Sequence, residues 1–359
     1  MNLFQCVSPF VLFSRIGLKD FGKDIRWIKR YQLKDQFNSL TILGGTGFIG
    51  KAVLSLLEKD SPSDTNPLSV NIVSRNAAAI DKVKFSHVRF FSVDLLKRGF
   101  TLPESDVIIH AASPASAALN SADPGLMLRS IVRSTSNLID CVARSQSRPK
   151  ILFLSSGAVY GEMASGEETF WEEWRTSSMD RESLSAYVEG KRTAEAMLRE
   201  ATESGTCNGI IARLFAFSGE HLPRDRHFAI GNFVESSVTT KKIVVRSDGS
   251  SIRSYLDERD MAHWLLSIAQ KGTSDQIYHI GSERAISILE LAYLVAERSE
   301  LMTGVKMPVE ILGQSSPLDG VSRYVPSTVQ TREKLGLSET ISLESSIDGM
   351  LRAAISQRS

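Results

Sequence analysis

The chain has 359 residues, of which 42% are hydrophobic and 23% charged, and it carries a net charge of +1. These values fit one large globular core or two fused lobes, and they exclude nucleic acid or an anionic membrane as the main partner. Cys6, Cys141 and Cys207 show no paired spacing, which argues against a zinc site or disulfide framework and fits a reducing, cytoplasmic compartment.

Residues 1–13 are apolar but lack a basic start and a clear small-residue cleavage site, so no signal peptide is expected. No apolar run approaches the roughly 18 residues of a membrane span. Trp27, Ile28 and Tyr31 lie at helical spacing among Lys23, Arg26, Lys29 and Arg30, so residues 1–38 read as a helical extension packed on the main domain. Leu40, Ile42 and Leu43 then form a short apolar run that reads as a buried strand. It breaks into Gly44-x-x-Gly47-x-x-Gly50, and Val53, Leu54, Leu56 and Leu57 follow at helical spacing. Strand, glycine turn and helix in that order make a phosphate-binding corner. Glycine lets backbone N–H groups approach an anion, and the helix N-terminus adds a favourable dipole. A dinucleotide site is expected there.

Ser61 to Pro67 reads as a loop, and residues 68–73 as a second strand. An acidic residue usually holds the NAD ribose about 20 residues past such glycines. The chain has Ser74-Arg75-Asn76 instead, and an arginine can pair with a 2′-phosphate. The cofactor is thus read as NAD or NADP, leaning to NADP. Residues 88–93 form a third strand ending at Asp94-Leu95, and 107–109 a fourth that ends in His110-Ala111-Ala112-Ser113-Pro114. Small residues there let the backbone lie close to a cofactor, and His110 is read as structural.

Residues 126–143 read as a helix and 151–154 as a fifth strand ending in Ser155-Ser156-Gly157-Ala158-Val159-Tyr160-Gly161. Residues 183–200 read as a helix with Tyr187 and Lys191, and 209–214 as a sixth strand. The alternation predicts an α/β fold with a Rossmann-like, doubly wound parallel sheet, ligands lying at the strand C-terminal ends. Beyond residue 217 a helix is expected over 228–239, a short strand over 242–246, and a turn at Ser247-Asp248-Gly249-Ser250. A helix from Asp260 through Ala269, a strand over 277–280 and a helix over 288–297 follow, the last capped by Ser287 and Glu290. These scattered pieces read as a smaller C-terminal α/β lobe that binds substrate. The expected organisation is therefore an extension at 1–38, a cofactor-binding domain at 39–216, and a lobe at 217–359 with some segments returning to the sheet.

Tyr187 and Lys191 are four apart on one helix face. A nearby ammonium favours a phenolate, so Lys191 is expected to lower the Tyr187 pKa. Tyr187 could then exchange a proton with a substrate hydroxyl, while Ser156 bonds the same oxygen. With a nicotinamide in the cleft, this is a hydride-transfer arrangement.

In Gly44-Gly-Thr46-Gly-Phe48-Ile49-Gly50, Asp94-Leu95, His110-Ala-Ala-Ser113, Ser155-Ser-Gly-Ala-Val-Tyr-Gly161, Tyr187-Val-Glu-Gly-Lys191, Arg213-Leu-Phe215 and Arg253-Ser-Tyr255 with Asp260, the chain resembles the extended short-chain dehydrogenase/reductase family. These are the NAD-dependent epimerases and dehydratases that act on nucleotide sugars. The resemblance runs from about residue 40 to the C-terminus. It implies that Gly44, Thr46, Gly47, Phe48, Ile49 and Gly50 hold the pyrophosphate, that Asp94 and Leu95 meet the adenine, and that Ala111, Ala112 and Ser113 lie along the cofactor. Lys191 would bond the nicotinamide ribose, and Ser156 and Tyr187 would flank the sugar C4 oxygen. Asn232, Arg253 and Arg323 would meet the nucleotide diphosphate of the substrate. No metal is implied.

The departures are specific. Dehydratases of this family carry an Asp-Glu pair just after the position of Ser156, where this chain has Gly157 and Ala158. The family's usual asparagines are replaced by Ile131 and Ala216. The leading expectation is a C4 epimerase or a 4-keto reductase of a nucleotide-activated sugar, within a polysaccharide sugar pathway. A 4,6-dehydratase, a reductase of a non-nucleotide substrate and a non-catalytic cofactor-binding protein are the alternatives. Helices over 126–143 and 183–200 permit a homodimer.

Overall fold

In a computed structural model, which describes residues 37–59, 68–76, 88–113, 117–145, 147–163, 167–172, 185–224, 228–274, 276–314 and 321–358, the apolar run before the glycines forms β1 (Ser39–Leu43). The expected helix at 1–38 and the loop at Ser61 to Pro67 lie outside the described residues. Helix α1 (Phe48–Lys59) leaves the glycine turn directly. The sheet continues with β2 (Ser69–Ser74), β3 (Val88–Ser92), β4 (Val107–His110), β5 (Lys150–Ser156) and β6 (Asn208–Leu214). Strand Ile277–Ile280 adds beside β6 and completes a seven-stranded sheet. From that edge the order is 277–280, β6, β5, β4, β1, β2, β3, with every neighbouring pair parallel. The order reverses between β1 and β4, the topological switch point where such sheets bind ligands.

Parallel strands covered on both faces read as near-continuous apolar runs. Accordingly Leu40, Ile42 and Leu43 of β1 are all fully buried. Helix α1 and helix α6 (Glu258–Lys271) cover one face, through Val53, Leu54, Trp264 and Leu265. On the other face lie α3 (Pro124–Ala143), entered from the short α2 (Ala117–Ala122), and α4 (Ala186–Glu203), through Met127, Ile131, Leu138, Ala194 and Leu198. Helix α4 starts three residues later than the sequence suggests, because the Ser185 side chain accepts from Val188 N–H and caps it.

A third apolar cluster gathers α5 (Ala229–Thr239), α7 (Ile288–Thr303) and α9 (Leu343–Ser356) around Ile230, Leu291, Val295 and Ile347. Helix α8 (Val329–Leu335) precedes α9. Ser287 and Glu290 form the expected capping box on α7, each side chain meeting the other's backbone N–H. The C-terminal half thus divides its contributions. Strand 277–280 and α6 build the main sheet and its cover, whereas α5, α7 and α9 pack on one another.

Candidate active site

The glycine corner is shaped by three different contacts. Gly44 adopts φ of +82°, and a Cβ there would lie 2.8 Å from both Ala111 O and Ala112 Cα. Only glycine lets β1 turn this close to the end of β4. A Cβ on Gly50 would come within 2.2 Å of Gly45 Cα, so Gly50 lets α1 start against the turn. Gly47 differs: its Cβ would meet only Gly44 O, at 3.3 Å. The missing side chain there leaves room for a ligand beside backbone N–H groups at a helix start. Ser113 supplies a buried hydroxyl with no protein partner at the end of β4. An open glycine turn and an unpaired hydroxyl at the switch point fit a dinucleotide, which Gly44, Gly47, Gly50 and Ser113 would hold.

The rest of the expected cofactor set lies along the same sheet edge. Thr46 Oγ1 meets Ser74 Oγ at 2.9 Å, tying the glycine turn to the end of β2. Arg75 and Asn76 follow and are exposed, while the Arg75 carbonyl accepts from Ser92 Oγ at 3.1 Å. Among the described residues at that strand end, Ser74, Arg75 and Asn76, none is a carboxylate. Phe48 packs near Phe217, with ring centroids 6.2 Å apart, and Ile49 joins the same cluster. Asp94 Oδ1 accepts from Leu96 N–H, and the Leu95 carbonyl accepts from Asn137 Nδ2 at 2.8 Å. His110 is fully buried, 3.4 Å from Thr135 Oγ1, and burial pushes its pKa down to about 3. It is a neutral core histidine, as the sequence suggests.

Ser156, Tyr187 and Lys191 converge where β5 ends beneath the start of α4. Ala158 N–H donates to Ser156 Oγ at 3.2 Å, and the Ser156 hydroxyl is close enough to Tyr187 to favour its phenolate. Lys191 Nζ donates to Leu154 O at 2.6 Å and sits 5.8 Å from the Tyr187 ring centroid. The expected lowering of the Tyr187 pKa by Lys191 does not occur. Burial pushes the phenol up instead, opposed by the hydrogen bond from Ser156. The reason is visible at Lys191, which burial holds down to about 7 against the attraction of Glu195. A lysine titrating near neutrality carries only part of a charge with which to stabilise a phenolate.

That depression has a measurable consequence. The unfolded chain keeps the Lys191 proton up to the ordinary value of 10.5, whereas the folded chain sheds it near about 7. Between those values the unfolded state binds more protons, so the Lys191 contribution to stability rises with pH across that window. Lys191→Met is expected to remove this rise, leaving a flatter stability curve between pH 7 and 10.5 than wild type. Denaturant melts of both proteins across that range check it, and parallel curves would refute it.

Behind the cluster lies a carboxylate that the sequence reading did not single out. Glu195 accepts from Ser155 Oγ at 2.6 Å and from Arg213 at 3.0 and 2.7 Å. Tyr187, Lys191 and Glu195 repeat every four residues on α4, so the helical period did carry a signal for it. Tyr324 was also missed. Its hydroxyl lies 3.4 Å from Ser156 Oγ, and its ring packs 4.8 Å from that of Phe215. Nothing local marks Tyr324, since it reaches the site from a two-residue strand far along the chain.

The residues expected to meet a substrate are placed unevenly. Arg253 pairs in register with Tyr324 and donates to the Ile252 and Ser322 carbonyls at 2.7 and 3.0 Å. Arg323 Nε donates to Glu168 O at 2.5 Å, so the neighbouring Tyr324, and not Arg323, meets Ser156. Asn232 is exposed on α5. Ile131 is buried against Gly190, and Ala216 is half-buried beside the α5–α7–α9 cluster. At Gly157 a Cβ would lie 2.5 Å from the Phe215 ring and 2.8 Å from Tyr324 Oη. Position 157, where the resemblance would put an acid in a dehydratase, therefore has no room for a side chain. Among the described residues no group of His, Cys, Asp and Glu could hold a metal ion, and no helix is long and apolar enough to cross a membrane.

Comparison with known proteins agrees with this fold. Residues 40–281 match the model of the NAD dependent epimerase/dehydratase family. UDP-glucuronic acid decarboxylase 6 of Arabidopsis thaliana is 26% identical over 313 residues, covering 85% of this chain and 85% of that protein. Among solved structures, UDP-glucose 4-epimerase with UDP-glucose from Thermotoga maritima superposes with a TM-score of 0.74 at 18% identity, over 89% of this chain and 100% of that one. RMD from Pseudomonas aeruginosa complexed with NADPH gives 0.71 at 20% identity, over 89% and 99%.

Proposed function

The chain belongs to the NAD dependent epimerase/dehydratase family, and on that premise we propose that it oxidises or reduces C4 of a nucleotide-activated sugar, as a C4 epimerase or a 4-keto reductase. The convergence of Ser156, Tyr187 and Lys191 at the end of β5 carries this reading. In the reductive direction Tyr187 gives its proton to the ketone oxygen, and in the oxidative direction it takes the proton of the C4 hydroxyl. Ser156 hydrogen-bonds the same oxygen and orients it. Lys191, held by Leu154 O and attracted by Glu195, would hydrogen-bond the ribose of a bound nicotinamide cofactor. A bound nicotinamide would supply or accept the hydride at C4. Arg253 lies on the substrate side, where a guanidinium suits a diphosphate. We read residues 217–359 as the mainly substrate-binding part, α3 and α4 as the face of a homodimer, and the compartment as cytoplasmic, which suits the free buried thiols of Cys141 and Cys207.

A second reading, decarboxylation of UDP-glucuronic acid, is favoured by the relatives of that name at 26% identity. It uses the same first step. A ketone at C4 stands β to the C6 carboxylate, so CO2 leaves as its bonding pair passes into an enol, and the ketone is then reduced. Dehydration is disfavoured, because the position of Gly157 is closed by Phe215 and Tyr324.

Cofactor identity and product analysis test these readings together. The cofactor released from the denatured protein is identified by mass, and UDP-glucose and UDP-glucuronic acid are offered as substrates. Retained NAD with epimerised product supports the epimerase. Exchangeable NADPH supports the reductase, and CO2 release supports decarboxylation. Turnover of neither sugar, with neither NAD retained nor NADPH bound, would sink the nucleotide-sugar reading. If NADP is the cofactor, Arg75→Ala should weaken NADPH binding about tenfold and leave NADH binding unchanged. Equal effects on the two cofactors, measured by titration, would refute a phosphate contact from Arg75.

A further inference from the structure

Ser156 and Tyr187 belong to different elements, so their separation depends on how those elements are tied together. Ser156 ends β5 and caps a single 3-10 turn, Gly157–Tyr160. Such a turn has poorer internal hydrogen bonds than an α-helix, and this one opens on a glycine. Two local contacts hold it: Ala158 N–H donates to Ser156 Oγ at 3.2 Å, and Gly161 N–H donates to Ala158 O at 3.0 Å.

Helix α4 grips this region through two consecutive side chains. Lys191 Nζ donates to Leu154 O at 2.6 Å, two residues before Ser156. Arg192 donates through Nε at 2.9 Å and Nη2 at 2.6 Å to Val159 O, three residues after it. Consecutive helical residues leave the axis about 100° apart, so the two side chains straddle the end of β5. Every donor here is an N–H and every acceptor a carbonyl, so the direction of each bond is fixed. The guanidinium closes both of its bonds on one oxygen, and its planar fork loses little freedom in doing so. Behind the grip, α4 is pressed on α3, since a Cβ at Gly190 would lie 3.0 Å from Ile131. The last residue of the turn is tied elsewhere. Burial pushes the His279 pKa down to about 3, so its neutral ring donates from Nδ1 to Ser327 O at 2.8 Å and accepts the Tyr160 hydroxyl at Nε2, at 2.6 Å. Tyr160 thus holds the turn to the strand 277–280, and Arg192 holds it to α4.

We propose that Arg192 is a positioning residue that locks the turn behind Ser156 to the helix that carries Tyr187, and so fixes the spacing of the two hydroxyls that meet the substrate oxygen. This rests on the roles proposed above for Ser156 and Tyr187 and deepens them. Arg192 acts through Ser156. One substrate oxygen has to lie within hydrogen-bond reach of both hydroxyls, and a misplacement of about 1 Å costs about a hundredfold in rate. Lys191 does not replace the clamp, because its bond lies on β5 before Ser156 and leaves the turn after it free.

Arg192→Met tests this in the full chain, since it keeps an aliphatic stem and removes every donor. Amide hydrogen exchange, followed by NMR without substrate, should speed up about tenfold at Ala158 and Gly161 and stay at the wild-type rate in β5 and β6. With the accepted UDP-sugar, kcat should fall about tenfold to a hundredfold, while KM and cofactor affinity stay near wild type. In a Ser156→Ala background the same substitution should cost less than about threefold in kcat, because the group it positions is already gone. Unchanged exchange at Ala158 and Gly161 would overturn the proposal. So would faster exchange spread through β5 and β6, a matching loss of cofactor affinity, or a full further loss of kcat in the Ser156→Ala background. Failure to turn over any UDP-sugar would count against the proposed reaction alone, while the exchange rates would still decide whether Arg192 holds the turn behind Ser156.

Discussion

Tyr187→Phe is expected to lower turnover by about a hundred- to ten-thousand-fold, the usual contribution of a positioned proton donor, while cofactor affinity and fold stability stay near wild type. The substitution removes one hydroxyl and keeps the ring, which packs with the α3–α4 cluster. The backbone contact that holds the start of α4, from Tyr187 N–H to Asn120 Oδ1 at 3.1 Å, is also kept. Lys191 loses nothing, because its hydrogen bond goes to Leu154 O and not to the phenol. The effect should therefore fall on kcat. Steady-state kinetics with the accepted UDP-sugar, together with a cofactor titration, read the two quantities separately. Unchanged turnover would remove Tyr187 from the chemistry. A parallel loss of cofactor binding would show that the phenol hydroxyl also holds the cofactor.

Glu195→Ala should produce the largest loss of stability, about 3 to 5 kcal/mol. Glu195 and Arg213 are both almost completely buried, and the guanidinium bonds the carboxylate through two nitrogens. Removing the carboxylate leaves Arg213 as a buried charge that has lost its counter-ion. It also strips Ser155 of its 2.6 Å acceptor. Arg199, the other cation at Glu195, is half-exposed and contributes little of this loss. A second consequence follows at Lys191. Glu195 is the group that opposes the effect of burial on that lysine, so without it Lys191 becomes neutral at still lower pH. Glu195→Gln is the informative companion, since an amide keeps an acceptor for Ser155 while removing the charge. Denaturant unfolding of the three proteins checks the order wild type, Gln, Ala. A loss below about 1 kcal/mol for Ala would mean that Arg213 finds water or another partner.

Chain-local patterns determined the architecture of this protein. Buried parallel strands need continuous apolar residues, and helices need a 3.6-residue period, so the strands through β6 and the helices over the sheet were readable from spacing alone, while the order of the strands in the sheet was not. The glycine corner was readable too, because its turn, its close approach to β4 and its helix start all require absent side chains within a few residues. The shared face of Tyr187 and Lys191 followed from the same helical period, and that period, continued one step, reaches Glu195. What only the tertiary structure decided depends on groups brought together from far along the chain. The sequence let some segments beyond residue 217 return to the main sheet, but that strand 277–280 is the one pairing with β6 is seen only in the tertiary structure. The direction of the Tyr187 pKa shift went against the sequence reading, because desolvation depends on everything packed around a group, while spacing reports only one neighbour. Arg323 carries the charge that draws attention in the sequence, yet it bonds Glu168 O, and Tyr324 beside it reaches Ser156. Closure of the space at Gly157 required Phe215, just past β6, and Tyr324, from a two-residue strand, to arrive from elsewhere in the chain. Local periodicity is written into consecutive residues, whereas burial and steric exclusion at a site are properties of contacts between distant ones.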